Sequence, residues 1–146
     1  MSEASTGGCE VVTTLDERLS DRELAAHHIV HVRGDDAPTF RRLASEADWT
    51  LVVAPEFDQV LFDRTRWVEE FGGWLLGPSS LGVSLTGDKL ICERRLRQAG
   101  VPTVSSEIVP VEFLLDIEPD IRPPCVLKPR YGAGSQSIFL ARDDES

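Results

Sequence analysis

The sequence predicts an α/β fold, with a Rossmann-like parallel sheet in its first part and the start of an α+β unit in its second. In the first part, short apolar segments alternate with amphipathic ones, the order that strands and helices take in a doubly wound sheet. Near Gly87 this alternation ends, and two apolar segments then flank a glycine-rich turn. We therefore expect two domains, at residues 9–87 and 88–146.

The elements of the first domain follow from apolar patterns and turn residues. Strands are predicted where apolar and β-branched residues cluster, and helices where apolar residues recur at helical spacing. The predicted strands are residues 10–15, 28–33, 50–54 and 74–76. The predicted helices are residues 37–46, with Asp36 as N-cap, residues 58–71, and two short helices that end by residue 99.

The second of these short helices has clear signals at both ends. Asp88 is the expected N-cap, and Thr86 is the alternative. Gly100 and Pro102 end the helix. Lys89 therefore lies in the first turn, where a solvated lysine is the ordinary interpretation.

The second domain is predicted to begin a new sheet. Strands are expected at residues 107–109, 125–128 and 137–141, with a proline-broken loop at 115–125. The last two strands flank Gly132, Ala133, Gly134 and Ser135, which predicts an antiparallel hairpin.

Lys128 and the glycine-rich loop that follows it form a pattern typical of phosphate binding. Glycine has no Cβ, so backbone N–H groups can approach an anion closely, and Lys128 adds a positive charge at the strand end. An ordinary hairpin turn remains the alternative. The pattern is not a Walker A motif, whose lysine follows the glycines, nor a dinucleotide fingerprint, which opens a helix.

The order of these motifs resembles the ATP-grasp superfamily. Asp88-Lys89 opens a helix, Gly100-Val101-Pro102 follows it, and a strand then leads through Lys128 into Gly-Ala-Gly-Ser. The resemblance implies that ATP binds with its phosphates at Lys89, Lys128, Gly132, Ala133, Gly134 and Ser135. It also implies Mg²⁺, held by residues that follow in full-length relatives and are not part of this sequence.

The first half is similar to the pre-ATP-grasp domain of the tyramine–glutamate ligase group. The matching segments are Ala54-Pro55-Glu56-Phe57-Asp58, Leu76-Gly77-Pro78-Ser79 and Asp88-Lys89. This implies an ATP-dependent carboxylate–amine ligase that forms an acylphosphate from small-molecule acid and amine substrates. Glu56 would orient the amine, and Arg130 would assist at the phosphates. The ordinary interpretation of Glu56 is a loop carboxylate without a specific role, and that of Arg130 is a solvated side chain.

We expect this chain to be an incomplete catalytic unit, inactive by itself, because a full ATP-grasp module continues well beyond Ser146. Two alternatives stay open. One is a non-catalytic α/β protein that binds a nucleotide or a partner. The other is the remnant of a disrupted ligase gene.

Composition and charge restrict the ligands and the cellular location that we expect. The net charge of −10 and the lack of a basic run argue against nucleic-acid binding. The sequence contains neither a long apolar run nor the pattern of a signal peptide, so we expect no membrane association. Cys9, Cys92 and Cys125 form no Cys-x-x-Cys pair, which favours reduced thiols and a cytoplasmic protein. The histidines at positions 27, 28 and 31 lie in a strand-like segment, and no metal site is expected. Exposed sheet edges leave a homodimer open.

Overall fold

The computed structural model describes residues 8–110 and 122–142, and this part of the chain has a mixed α/β fold. The predicted loop at residues 115–125 lies largely outside these ranges. The strands are β1 (Val12–Asp16), β2 (His28–Val32), β3 (Trp49–Thr50), β4 (Trp74–Leu75), β5 (Cys125–Leu127) and β6 (Phe139–Ala141). The helices are α1 (Ala37–Glu46), α2 (Val60–Glu70), α3 (Ser80–Gly87) and α4 (Lys89–Gln98).

The described strands form three two-stranded sheets. Strands β1 and β2 are parallel, as are β3 and β4, in which Trp49 lies opposite Trp74. Strands β5 and β6 are antiparallel, with Leu127 opposite Phe139. The α/β class and the hairpin around the glycine-rich loop are therefore confirmed.

The parallel strands form two separate pairs, and the predicted strand at residues 50–54 is mostly wrong. The amide of Leu76 donates to the carbonyl of Thr50 at 2.9 Å, and Gly77-Pro78 then turns the chain into α3. Since β4 ends there, residues 51–54 have no ladder partner within the described ranges. Ladder hydrogen bonds need a neighbouring strand, so residues 51–54 are not part of a described sheet.

Helix α1 begins at Ala37 as predicted, but its cap differs from the prediction, as does the start of α2. At α1, the amide of Ala37 donates to Oδ1 of Asp35 at 3.0 Å, while Asp36 makes no capping hydrogen bond and pairs with Arg64 of α2. The carboxylate of Asp36 is thus engaged by an arginine from another helix. Helix α2 begins at Val60, after a 3₁₀ turn at Phe57–Gln59.

The predicted strand at residues 107–109 is also wrong, because these residues adopt no regular secondary structure. Helix α4, by contrast, starts and ends as predicted. Oδ1 of Asp88 accepts from the amides of Leu90 at 3.0 Å and Ile91 at 3.1 Å. The alternative cap is wrong, since Thr86 lies within α3 and donates to the carbonyl of Gly82 at 2.9 Å.

The apolar core is small and is built mainly around the helices. Its buried apolar side chains are Leu15, Ala44, Val68, Val83 and Leu90. Val68 of α2 is fully buried, and a Cβ at Gly73 would lie 3.1 Å from its Cγ1. Thr65, one turn earlier, is buried and donates to the carbonyl of Leu61 at 2.8 Å. None of the helices in the described ranges is long and apolar enough to cross a membrane.

Replacing Val68 with alanine should lower the free energy of unfolding by about 2 kcal/mol, because a fully buried side chain loses its contacts and leaves a cavity. Val53 supplies a matched control, since its side chain is 88% exposed. Val53→Ala should change the free energy by less than about 0.5 kcal/mol. Urea unfolding followed by tryptophan fluorescence measures both, and equal effects would contradict the position of the core.

Candidate phosphate-binding site

Lys89 and Lys128, which lie far apart in sequence, line the same cavity of about 330 Å³. Helix α4 positions Lys89 in its first turn, and Lys128 directly follows β5. The other lining residues are Phe57, Pro129, Tyr131, Gly132, Ala133, Ser135, Gln136, Ser137 and Ile138. Of the six residues predicted to contact phosphates, Gly134 alone does not line this cavity.

The ammonium group of Lys89 contacts the backbone of the glycine-rich loop. Its Nζ donates to the carbonyl of Gly132 at 2.6 Å and approaches that of Arg130 at 3.4 Å. The backbone amide of Lys89 also donates to the carbonyl of Arg130, at 3.2 Å. The first turn of α4 and the loop are therefore joined by both backbone and side chain.

Lys128 differs from Lys89 in its contacts. Its side chain is exposed, and no described residue accepts a hydrogen bond from its ammonium group or forms an ion pair with it. The cavity thus holds one cation that contacts loop carbonyls and one that is available to an anion.

The glycine-rich loop contains several left-handed residues. The φ angles of Gly132 and Gly134 are +93° and +79°, and those of Ser135 and Ser137 are +57° and +52°. Glycine adopts this region without a steric cost, whereas the two serines are strained in it. No described residue accepts a hydrogen bond from the amides of residues 132–135, so these donors are available to an anion.

A buried carboxylate connects α4 to this loop. Asp88 is only 4% exposed and accepts from Nε of Arg130 at 2.9 Å and from the hydroxyl of Tyr131 at 3.1 Å, in addition to the two capping amides. The hydrogen bonds from Arg130 hold the pKa of Asp88 well below its usual range, and burial opposes this shift. The same pairing raises the pKa of the Arg130 guanidinium.

The two substrate residues predicted from the sequence lie apart from the cavity wall. The guanidinium of Arg130 is bound to Asp88, and Glu56 is exposed and does not line the cavity, although its neighbour Phe57 does. Phe57, Tyr131 and Gln136 line the cavity but were not predicted from the sequence. The available signal was their position beside residues already selected, in the Pro-Glu-Phe, Arg-Tyr-Gly and Gly-Ser-Gln segments.

Phe57 precedes two further left-handed residues, Asp58 at a φ of +53° and Gln59 at +57°. Two consecutive strained residues without glycine are uncommon and are found most often at functional sites. This loop follows β3, and ligands of open α/β sheets bind beyond the carboxyl ends of the strands. The position of Phe57 in the cavity wall agrees with that rule.

A second cavity, of about 580 Å³, lies beyond the ends of β1 and β2 and is lined by Asp16, Glu17, Arg18, Arg33 and Gly34. Arg18 pairs with Asp16 and lowers the pKa of that carboxyl to about 2. Arg33 lies 4.0 Å from Glu17. Both cations are thus opposed by carboxylates, which makes this cavity a weaker candidate for anion binding.

No group of three histidine, cysteine, aspartate or glutamate residues that could hold a metal ion occurs within residues 8–110 and 122–142. The histidines near β2 have other contacts. Nδ1 of His27 accepts from the amide of Val11 at 3.1 Å, and Nε2 of His28 lies 2.6 Å from a carboxylate oxygen of Glu10.

The chain combines an α/β fold with a cavity lined by two lysines and a glycine-rich loop. Comparison with known proteins identifies its family. Residues 9–83, just over half of the chain, match the family model described as the pre ATP-grasp 3 domain. The chain belongs to this family and thereby to the ATP-grasp superfamily. No solved structure matches the chain.

Two curated proteins are similar to part of the chain. Biotin carboxylase 1 of Bacillus subtilis (strain 168) is 32% identical over 86 residues, which are 57% of this chain and 19% of that protein. The 2-oxoglutarate carboxylase small subunit of Hydrogenobacter thermophilus (strain DSM 6534 / IAM 12695 / TK-6) is 34% identical over 83 residues, 55% of this chain and 18% of that protein. The matched region therefore spans about a fifth of the length of these relatives.

The contacts of Asp88 should make stability depend on pH in acid. Its folded pKa is depressed, so the stability from its ionised form is fully present above the unfolded pKa of about 3.9 and is lost as pH falls further. The difference in free energy of unfolding between wild type and Asp88→Asn should be constant from about pH 5 to 7 and shrink below about pH 4. Urea titrations across this range measure it, and a difference unchanged at about pH 3 would contradict the ionised contact.

Proposed function

We propose that this chain supplies the phosphate-binding part of an ATP-dependent carboxylate–amine ligase. The observation that carries the proposal is the single cavity lined by Lys89, Lys128 and the glycine-rich loop. Two ammonium groups neutralise phosphate oxygens, and the loop amides donate hydrogen bonds to them. Membership of the ATP-grasp superfamily supports ATP as the ligand.

The proposed domain boundary lies at Asp88. Residues 9–87 would form the pre-ATP-grasp domain, and residues 88–146 would begin the ATP-grasp domain. The donor set of the cavity fits a polyphosphate, because it combines cations with backbone amides. It does not fit Mg²⁺, which prefers oxygen ligands such as carboxylates, so no step is assigned to a metal here.

The proposed reaction has two steps. A carboxylate oxygen of the acid attacks the γ-phosphorus of ATP, the bond to ADP breaks, and an acylphosphate forms. The amine nitrogen then attacks the acyl carbon, phosphate leaves, and the amine proton passes to solvent. Phosphoryl transfer depends on positioning and charge neutralisation, and these are the contributions of Lys89, Lys128 and residues 132–135.

The tyramine–glutamate ligase group is the narrower hypothesis. It rests on the Ala54-Pro55-Glu56-Phe57-Asp58 and Leu76-Gly77-Pro78-Ser79 segments. In this hypothesis Glu56 orients the amine, and the strained turn beside it holds Phe57 against the phosphate cavity. An apolar portion of a substrate would then contact the ring of Phe57.

The 146-residue chain should bind ATP in the millimolar range and show no ligase turnover. The described site offers phosphate contacts, one of its lysines must first release a loop carbonyl, and the net charge of −10 adds repulsion. Lys128→Ala should weaken ATP binding roughly tenfold through loss of a charge-assisted contact. Calorimetric or NMR titration with MgATP measures this.

Arg94→Gln is the matched control for this titration, because it removes one positive charge from an exposed position on α4 that does not line the cavity. This variant should bind ATP as the wild type does at physiological salt. Equal losses in both variants would indicate a general charge effect and contradict the site. Micromolar binding abolished by Lys128→Ala would show a more complete site than proposed, as would steady ATP consumption with an acid and an amine.

A second function, association with another copy of the chain, is favoured by an exposed apolar sheet face. Trp49 and Trp74 lie side by side on β3 and β4 with ring centroids 5.4 Å apart, and both are more than half exposed. Leu51, Val53 and Leu76, which follow these two strands in the chain, are also exposed. Parallel sheets are normally covered on both faces. Burial of five such side chains would remove roughly 600 Å² per protomer, which is at the lower end of the range for standard interfaces.

This association predicts a concentration-dependent dimer that contacts Trp74. Trp74→Ser should raise the dimer dissociation constant at least roughly tenfold, because aromatic residues at the centre of an interface carry much of its free energy. Phe71→Ser is the control, since Phe71 is similarly exposed but lies at the end of α2. Sedimentation velocity at physiological salt measures both, and a wild-type chain that stays monomeric at about 200 μM would contradict the dimer.

A further inference from the structure

We infer that Asp88 is a positioning residue that fixes Lys89 and the glycine-rich loop relative to each other through Arg130 and Tyr131. The inference rests on the proposed function, since it explains how the two halves of the phosphate site are held together. It assigns to Asp88 a second task besides capping α4, and it assigns to Arg130 a structural partner in place of a phosphate.

The contacts of Asp88 exceed what a helix cap requires. A cap needs one acceptor for the first amides of the helix, and an uncharged serine or asparagine serves equally well. Here the carboxylate also accepts from Nε and Nη2 of Arg130 and from the hydroxyl of Tyr131. The carboxylate is nearly fully buried, and a buried charge is stable only with a counter-charge and hydrogen bonds. The negative charge of Asp88 is therefore explained by its contacts with Arg130 and Tyr131 of the loop, and not by capping.

Asp88 also positions Lys89, because the two residues are adjacent at the start of α4. The capped turn holds the amide of Lys89 against the carbonyl of Arg130, while the side chain of Arg130 returns to Asp88. The ammonium of Lys89 then reaches the carbonyl of Gly132 at 2.6 Å. Contacts thus link the first turn of α4, the side chain of Arg130 and the glycine-rich loop to one another. A shift of any one of them would disturb the other two.

This arrangement determines how an anion enters. Arg130 is held by Asp88, so the cations that meet a phosphate are Lys89 and Lys128. At Lys89 a phosphate oxygen replaces the Gly132 carbonyl, and the exchange is favourable because a hydrogen bond to an anionic acceptor is stronger than one to a neutral carbonyl. The loop carbonyl therefore holds the ammonium in position before the ligand arrives.

The experiment separates positioning from capping with Asp88→Ser, which keeps a good N-cap but removes the charge. Tyr131 is the single tyrosine of the chain, so incorporation of 3-fluorotyrosine gives one ¹⁹F resonance at the loop. We expect Asp88→Ser to shift this resonance and to raise the dissociation constant for inorganic triphosphate roughly tenfold. Arg130→Lys should do the same, since lysine keeps the charge but cannot form the two-pronged contact.

The double variant and a control complete the test. If Asp88 and Arg130 act as one unit, Asp88→Ser/Arg130→Lys should be no worse than either single variant. Asp36→Ser breaks a comparable aspartate–arginine contact, with Arg64, away from the cavity and should alter neither the resonance nor the affinity.

Two outcomes overturn the inference. An unchanged resonance and affinity in Asp88→Ser would mean that Asp88 acts only as a helix cap. Tighter triphosphate binding by Asp88→Ser would mean that the freed Arg130 binds phosphate itself. A shifted resonance in the variants, together with a wild-type chain that does not bind triphosphate, supports the positioning role and counts against the proposed function instead.

Discussion

The ionised carboxylate of Asp88 is the contact on which the arrangement of the second half of the chain depends. The β5–β6 hairpin has little apolar support in the described structure, since Val126, Leu127, Phe139 and Leu140 are all substantially exposed. An isolated two-stranded hairpin is only marginally stable in water. Its position against α4 is therefore set by polar contacts, and those contacts converge on one buried charge and the lysine next to it.

The candidate site places two strained loops around one cavity. One is the turn after β3, where Asp58 and Gln59 adopt left-handed conformations, and the other is the glycine-rich loop, where Ser135 and Ser137 do so. Strain of this kind persists only where surrounding contacts outweigh its cost. Phe57, beside the first turn, belongs to the proposed first domain, whereas the other residues that line the cavity belong to the proposed second domain.

The elements set by local chemistry could be predicted from the sequence. Helix α4 has an aspartate cap and a glycine-proline end, and the hairpin has a Gly-x-Gly turn between two apolar runs, so both were found correctly. The wrong predictions concern residues whose structure depends on a partner that is distant in sequence. Residues 51–54 have the composition of a strand but have no neighbouring strand among residues 8–110 and 122–142. Asp36 was expected to cap α1, but its carboxylate is engaged by Arg64. The resemblance placed Lys89 and Arg130 at the same phosphates, but it did not indicate that the Arg130 guanidinium binds the carboxylate of Asp88.

The chain contains only two lysines, and both line the cavity. Reagents that acylate primary amines would therefore modify the α-amino group and this one site, without the scattered surface labelling that most proteins undergo. The two lysines also differ in their surroundings, since the ammonium of Lys89 contacts a loop carbonyl and the side chain of Lys128 is exposed. The two lysines are therefore positions at which a fluorophore or cross-linker can be attached without introducing a cysteine.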